Sequence, residues 1–216
     1  MITGFITDLP LYLAGLLTTI TVSASGVAIA ALLGIVLAIG LRSSFRPLAL
    51  LTRAYVEFAR GAPLALLLFL LYYGGPQIGL LLSPYVAGTF GLGIYGAGPF
   101  AEIFRAGLNA VPKGEREAAE MLGLTRGQRF LHVELPQALR LTLPPCVGQA
   151  IALLKESAVL SVITVGELTK VAGTISSISF SVVTPYLTIA LLYWALVEIL
   201  SKSGRALERH FALRGS

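Results

Sequence analysis

The chain has 216 residues, of which 56% are hydrophobic and 12% charged, and it carries a net charge of +5. Its mean hydropathy of +0.82 describes more apolar surface than a soluble core of this length can hide, so its solvent is largely hydrocarbon. The positive charge does not point to nucleic acid, because the basic residues stand between apolar runs instead of gathering beside aromatics on one face.

One cysteine, Cys146, precludes an internal disulfide and reads as a small packing residue. Two histidines, His132 and His210, give no metal-ligand spacing. Asp8 is the only Asp, Glu, Lys or Arg before Arg42, so the N-terminus lacks the basic region of a cleavable signal and its apolar segment is expected to stay in the mature protein.

The uncharged run from Leu9 to Leu41 exceeds the roughly 20 residues a span needs, and predicts a first transmembrane helix over Leu13 to Leu41 after a short interfacial lead-in. Thr18, Thr19, Thr21, Ser23, Ser25 and Gly26 crowd its first half, a composition that suits close packing against other helices. Arg42, Arg46 and Arg53 then mark a cytoplasmic turn. A second span is expected from Pro47 to Tyr73, kinked or restarted at Pro63, with Glu57 and Arg60 spaced to pair at its inner end. Gly74-Gly75-Pro76-Gln77 reads as an external turn. The third span, Tyr85 to Arg105, is rich in glycine and broken by Pro99, and Glu102 and Arg105 are spaced as an interfacial ion pair.

Pro112 to Pro136 is a charged stretch between apolar runs. It predicts one helix from Pro112 to Leu122, stopped by Gly123, and a second started by a Thr125/Gln128 capping box and ending before Pro136. On the first helix Ala118, Ala119 and Leu122 form an apolar stripe, with Lys113, Arg116, Glu117 and Glu120 around it as i,i+4 pairs. The fourth span starts near Leu141 and meets Lys155-Glu156 about 22 Å along, short of the roughly 30 Å core thickness. Charges at that depth cost several kilocalories unless paired or hydrated, which makes them a functional hypothesis. Ser161 to Thr184 reads as short re-entrant or external helices carrying Glu167 and Lys170. The last span, Val182 to Leu200, leads into a tail with Lys202, Arg205, Arg209 and Arg214. All 16 Lys and Arg except Arg60, Lys155 and Lys170 fall in segments placed inside. The asymmetry gives five transmembrane helices in one all-α integral membrane domain over 1–216, N-terminus outside and C-terminus inside.

Glu117-Ala118-Ala119, three residues, Gly123, nine residues and Val133-Glu134-Leu135-Pro136 resembles the EAA signature of the membrane subunits of ATP-binding-cassette importers, with Val133 where Ile is usual. Arg60-Gly61-Ala62-Pro63 with Leu70-Leu71-Tyr72-Tyr73-Gly74, and Ala101-Glu102-Ile103-Phe104-Arg105, resemble segments of the polar amino-acid importers in that family. Ala62 and Leu67 replace the usual Thr and Gln, so no substrate contact is assigned to that segment, and Gly98-Pro99-Phe100 replaces the usual Gly-Ala-Tyr. Lys155-Glu156-Ser157-Ala158 is similar to their KDTS signature, with Glu for Asp and Ala for Ser.

The resemblance implies a permease subunit whose stretch 112–136 is a coupling helix, docking on an ATPase through Glu117, Ala118, Ala119, Leu122 and Gly123. It implies a second permease subunit, alike or different, an external substrate-binding protein, an amino-acid substrate and a place in the bacterial inner membrane. Lys155, Glu156 and Ser157 would border the translocation cavity: Glu156 facing an α-ammonium or cationic side chain, Lys155 a carboxylate and Ser157 either. The alternative is a Lys155–Glu156 pair that satisfies itself and holds a helix break open. ATP and Mg would sit on the partner, since this chain has no Gly-Lys dipeptide and hence no Walker A loop. A membrane enzyme would need a nucleophile–base set or paired acids at one depth, and Lys155-Glu156 with no intramembrane His is poor material for one. A secondary transporter or channel is the other alternative, and leaves the register of Glu117 to Pro136 unexplained.

Overall fold

The computed structural model describes residues 2–213, with side chains placed for 8–209; Arg214 and the side chain of His210 lie outside the described residues. The described chain is helical: α1 (Ile2–Leu41), α2 (Arg46–Gly61), α3 (Leu64–Phe69), α4 (Pro84–Ala110), α5 (Lys113–Met121), α6 (Arg126–Arg129), α7 (Leu135–Glu156), α8 (Leu168–Ser179) and α9 (Val183–Leu213). Helical turns of other pitch cover Leu70–Gly74, Gly75–Ile78, Phe130–Glu134 and Ser157–Ile163.

The centre of the molecule is α4, which lies along α1 and also packs on α2 and α7. Glycines set how near the two long helices come. A Cβ on Gly26 of α1 would meet Leu92 at 2.8 Å, and one on Gly34 would meet Phe100 at 2.6 Å. From the other side, a Cβ on Gly93 would strike Ile29, and one on Gly96 would lie 2.6 Å from Leu153 and 2.9 Å from Ala30. Without side chains at these four positions the backbones close up, and Val22, Ala30, Leu92, Phe100 and Leu153 fill the core. The hydroxyl-rich half of α1 serves packing as expected: Thr19 is fully buried and its Oγ1 accepts from the Leu168 N–H at 3.2 Å, joining α1 to α8.

Several boundaries differ from the sequence reading. α1 is a single 40-residue helix that begins at Ile2, through Pro10, where a lead-in before Leu13 was expected. Pro10 is the ninth residue of α1, so it leaves the Ile6 carbonyl without its intrahelical donor, and the helix carries that loss. The second span is two helices: Arg46–Gly61 and Leu64–Ile78 meet at 107°. Pro63 forces Ala62 into extended backbone (φ −80°, ψ 138°) and then caps α3. Glu57 and Arg60 do not pair; no ion pair joins them among the described residues. Glycines 74 and 75, expected in an external turn, belong to helical turns, and the left-handed residue that ends them is Gly79 (φ 79°). Pro99 does not break α4, which continues to Ala110. The Ile94 carbonyl, just ahead of the backbone that Pro99 disturbs, takes a 2.8 Å hydrogen bond from Tyr55 Oη of α2.

Among the described residues three helical segments are long and apolar enough to cross a membrane, Asp8–Leu41, Arg126–Ile163 and Val183–Arg209; the bent pair has the length and composition of either a broken span or a re-entrant loop. α4 is not among them; its burial is inside the protein, with twelve residues from Ala87 to Gly107 enclosed by neighbours. Large apolar side chains cover the outer faces, including Leu17, Leu32, Val36 and Ile39 on α1 and Leu187, Leu191, Trp194 and Ile199 on α9. Such a surface belongs in lipid or against another apolar surface.

Gly93→Leu should force α1 and α4 apart at a cost of about 3 kcal/mol or more, read as loss of the monodisperse peak in detergent gel filtration. Gly61→Ala, where a Cβ meets nothing within 4 Å, should leave that peak and the melting temperature unchanged.

Candidate functional site

The charged stretch 112–136 is built from local signals that the structure uses. α5 runs Lys113–Met121 with Pro112 as its N-cap. It ends in a paired C-terminal motif: the Gly123 N–H donates to Glu120 O at 2.9 Å and the Leu124 N–H to Ala119 O at 3.2 Å. That geometry needs a left-handed residue, and Gly123 supplies it at φ 75°. Thr125 and Gln128 then form the expected capping box at the start of α6.

The second helix does not end before Pro136. It changes pitch over Phe130–Glu134 and continues as α7, so Arg126 to Ile163 is one helical run of 38 residues. Pro136 has no N–H for the carbonyl four residues back. The wider turn, in which the Leu135 N–H reaches the Phe130 carbonyl, absorbs the fault.

The charges of α5 pair across elements, not along the helix. Glu134 is buried, 5% exposed, and its carboxylate lies 3.2 Å from Arg129 Nε and 3.7 Å from Arg116 Nε. Arg129 also pairs with Glu120, and Arg116 donates to the Leu108 carbonyl at the end of α4. Glu134 is thus the hub that fixes α5 to α4 and to the base of α7, a role the sequence reading did not give it. The expected apolar stripe is split. Ala119 is 3% exposed and turned into the protein, whereas Ala118, Met121 and Leu122 are exposed, Met121 to 87% and Leu122 to 81%. Glu117 is also exposed, and Lys113 and Glu117 form no ion pair among the described residues. Exposed apolar side chains on a helix clamped by ions behind it form a rigid platform.

The second candidate group lies at the far end of α7. Lys155 is exposed and Glu156 half-buried; no ion pair joins them, since neighbours on a helix point about 100° apart. Ser157 is fully buried, its Oγ donating to Leu154 O at 2.7 Å and lying 3.5 Å from Tyr193 Oη. Tyr193 of α9 donates to Glu167 Oε2 at 2.9 Å. Glu167, fully buried, caps α8 by accepting the N–H groups of Thr169 and Lys170, each at 2.7 Å. Its carboxylate therefore knots the Ser157 turn, α8 and α9 together. The sequence reading gave Glu167 neither role; an acid at the start of a helical segment is the signal for the cap, whereas nothing local points to Tyr193. Glu102 and Arg105 form the expected i,i+3 pair at 2.6 Å.

Glu134→Ala leaves two partly buried arginines facing each other and should loosen α5 by on the order of 2 kcal/mol. Hydrogen exchange should read this as faster exchange across 113–124 with α1 and α4 unaffected.

The chain matches the family model described as the binding-protein-dependent transport system inner membrane component over residues 30–212. It is 38% identical over 199 residues, 92% of each chain, to the probable glutamine ABC transporter permease protein GlnM of Bacillus subtilis (strain 168). It is 36% identical over 205 residues, 94% of each chain, to the arginine transport system permease protein ArtQ of the same organism. Among solved structures, an amino acid ABC transporter crystallised with histidines superposes with a TM-score of 0.90 at 36% identity, covering 95% of this chain and 96% of that one. The MetNI methionine ABC transporter in an inward-facing conformation shares the fold, with a TM-score of 0.75 at 22% identity over 94% of this chain and 97% of that one. A model matched over most of the chain, together with relatives aligned nearly end to end, places this multi-pass, all-helical protein in the family of binding-protein-dependent transport system inner membrane components.

Proposed function

We propose that the chain is the permease subunit of an ATP-binding-cassette importer for polar amino acids. The observation that carries the reading is the platform at α5: a short helix held from behind by the Arg116–Glu134–Arg129 cluster, with Ala118, Met121 and Leu122 presented outward. A surface of that kind suits docking on a separate ATPase, which would hold ATP and Mg. Glu117, Ala118 and Leu122 make the contact, while Ala119 and Gly123 keep the helix short and seated. Two of the relatives are named for polar amino acids, one for glutamine and one for arginine.

In this reading the chain is one domain that crosses the bacterial inner membrane five times, with α4 and the bent pair α2–α3 counted among the spans, the N-terminus outside and the C-terminus inside. A second permease subunit, identical or different, completes the pathway, and an external binding protein delivers the amino acid. Closure of the ATPase pair on ATP moves the two α5 helices together and turns the spans from inward-facing to outward-facing. Lys155 and Glu156, whose side chains are not spent on each other, line the pathway and meet the carboxylate and ammonium of the solute. Ser157, committed to Leu154 and Tyr193, holds that turn in place.

Leu122→Asp should reduce ATPase co-purification and amino-acid uptake at least about tenfold, because a charge is left buried in an apolar contact. Unchanged uptake would remove α5 from the docking surface. Ala119 is a poor site for this test, since its burial makes any larger residue a folding defect. Glu156→Gln should raise the KM for uptake or shift selectivity among amino acids at unchanged membrane level; lower expression at unchanged KM would mark Glu156 as structural.

A further inference from the structure

A second polar site lies at the end of the molecule away from α5. α7 leaves the 112–136 stretch and runs 22 residues, about 33 Å. Beyond it, the Ser157–Ile163 turn, α8 and the start of α9 enclose an open cavity of about 370 Å³. Ser161, Thr169, Lys170, Gly173, Thr174, Ser177 and Tyr186 line it. None of the Lys155-Glu156-Ser157 group does.

The hydrogen bonds of the lining decide what it can hold. Ser161 Oγ donates to Ala158 O at 2.9 Å, Thr174 Oγ1 to Lys170 O at 3.0 Å and Ser177 Oγ to Gly173 O at 2.9 Å. A hydroxyl has one proton, so these three oxygens retain only acceptor capacity. Lys170 is the opposite, a donor with no acceptor. Its ammonium has no carboxylate or hydrogen-bond partner among the described residues. The nearest acid on the same helix, Glu167, is turned inward onto Thr169 N, Lys170 N and Tyr193 Oη, so it leaves Lys170 uncompensated. Gly173 keeps the floor open: a Cβ there would meet only Tyr186 Oη, at 3.8 Å.

An exposed, unpaired cation and the Tyr186 hydroxyl, which can donate, beside three oxygens that can only accept, in a space of single-metabolite size, are complementary to a small zwitterion. We infer that this cavity is an outer reception site for an α-amino acid, its carboxylate on Lys170 and its ammonium on Ser161, Thr174 and Ser177. The inference rests on the permease reading above and adds a station before the Lys155–Glu156 level.

The test uses the assembled permease–ATPase complex in lipid nanodiscs without binding protein, titrated with each of the twenty standard L-amino acids and with the carboxamide of the tightest binder. Lys170→Gln should weaken the amino acid about tenfold, the worth of one charge-assisted hydrogen bond, and leave its carboxamide unchanged. Gly173→Leu, whose Cβ would meet only Tyr186 Oη, at 3.8 Å, puts an apolar side chain into the cavity and should weaken both. Wild-type affinity in both variants, or no binding by any of the twenty, overturns the site. Variants that bind amino acid normally but lose ATP hydrolysis stimulated by the binding protein also overturn it, and assign the cavity to a protein carboxylate. Failure of the permease reading is seen separately, as an absence of ATPase in the purified complex.

Discussion

The structure depends on how closely α1 and α4 approach. In lipid, apolar side chains gain nothing by meeting each other instead of acyl chains, so association rests on contact area and on the absence of anything in the way. Gly26 and Gly34 on one helix and Gly93 and Gly96 on the other remove the obstacles. α2 and α7 then pack against the helix so placed. The chain can therefore carry charged residues at its ends and a polar knot near α8 without relying on either for its central cohesion.

Two kinds of fastening flank that centre. The buried carboxylate of Glu134 gathers two arginines and seats α5, whereas that of Glu167 gathers two backbone N–H groups and a tyrosine hydroxyl and seats α8. The first leaves apolar side chains facing outward on a firm base. The second leaves Lys170 without a counter-charge beside a cavity of hydroxyl oxygens. In both cases a satisfied inner carboxylate leaves neighbouring groups available to something outside the chain.

What could be read from the sequence was what the chain decides locally. Gly123 and the Thr125/Gln128 box act within a few residues, and the structure has them as their spacing implies. The family pattern, spread across most of the chain, was equally legible. Prolines were harder, because the same residue has different consequences in different company. Pro63 turns the chain by 107°, Pro99 is carried within α4, and Pro136 is accommodated by a wider turn before it. Charge pairing was hardest. Spacing suggested partners within α5, but the partner of Arg116 is Glu134, eighteen residues on, brought there by the turn at Gly123. Lys155 and Glu156 are adjacent in sequence and point apart for the reason that makes any two consecutive helical residues diverge.

The change of pitch at Phe130–Glu134 has a mechanical consequence. Because the helix bends its hydrogen-bonding pattern instead of ending, no loop intervenes between the capping box at Thr125 and the turn at Ile163. A push delivered at the base is carried by a continuous lever, whose soft places are the five-residue turn and the Pro144-Pro145 step within α7. The Thr125 end and the level of Lys155 and Glu156 are thus joined by helix throughout, with no flexible loop between them.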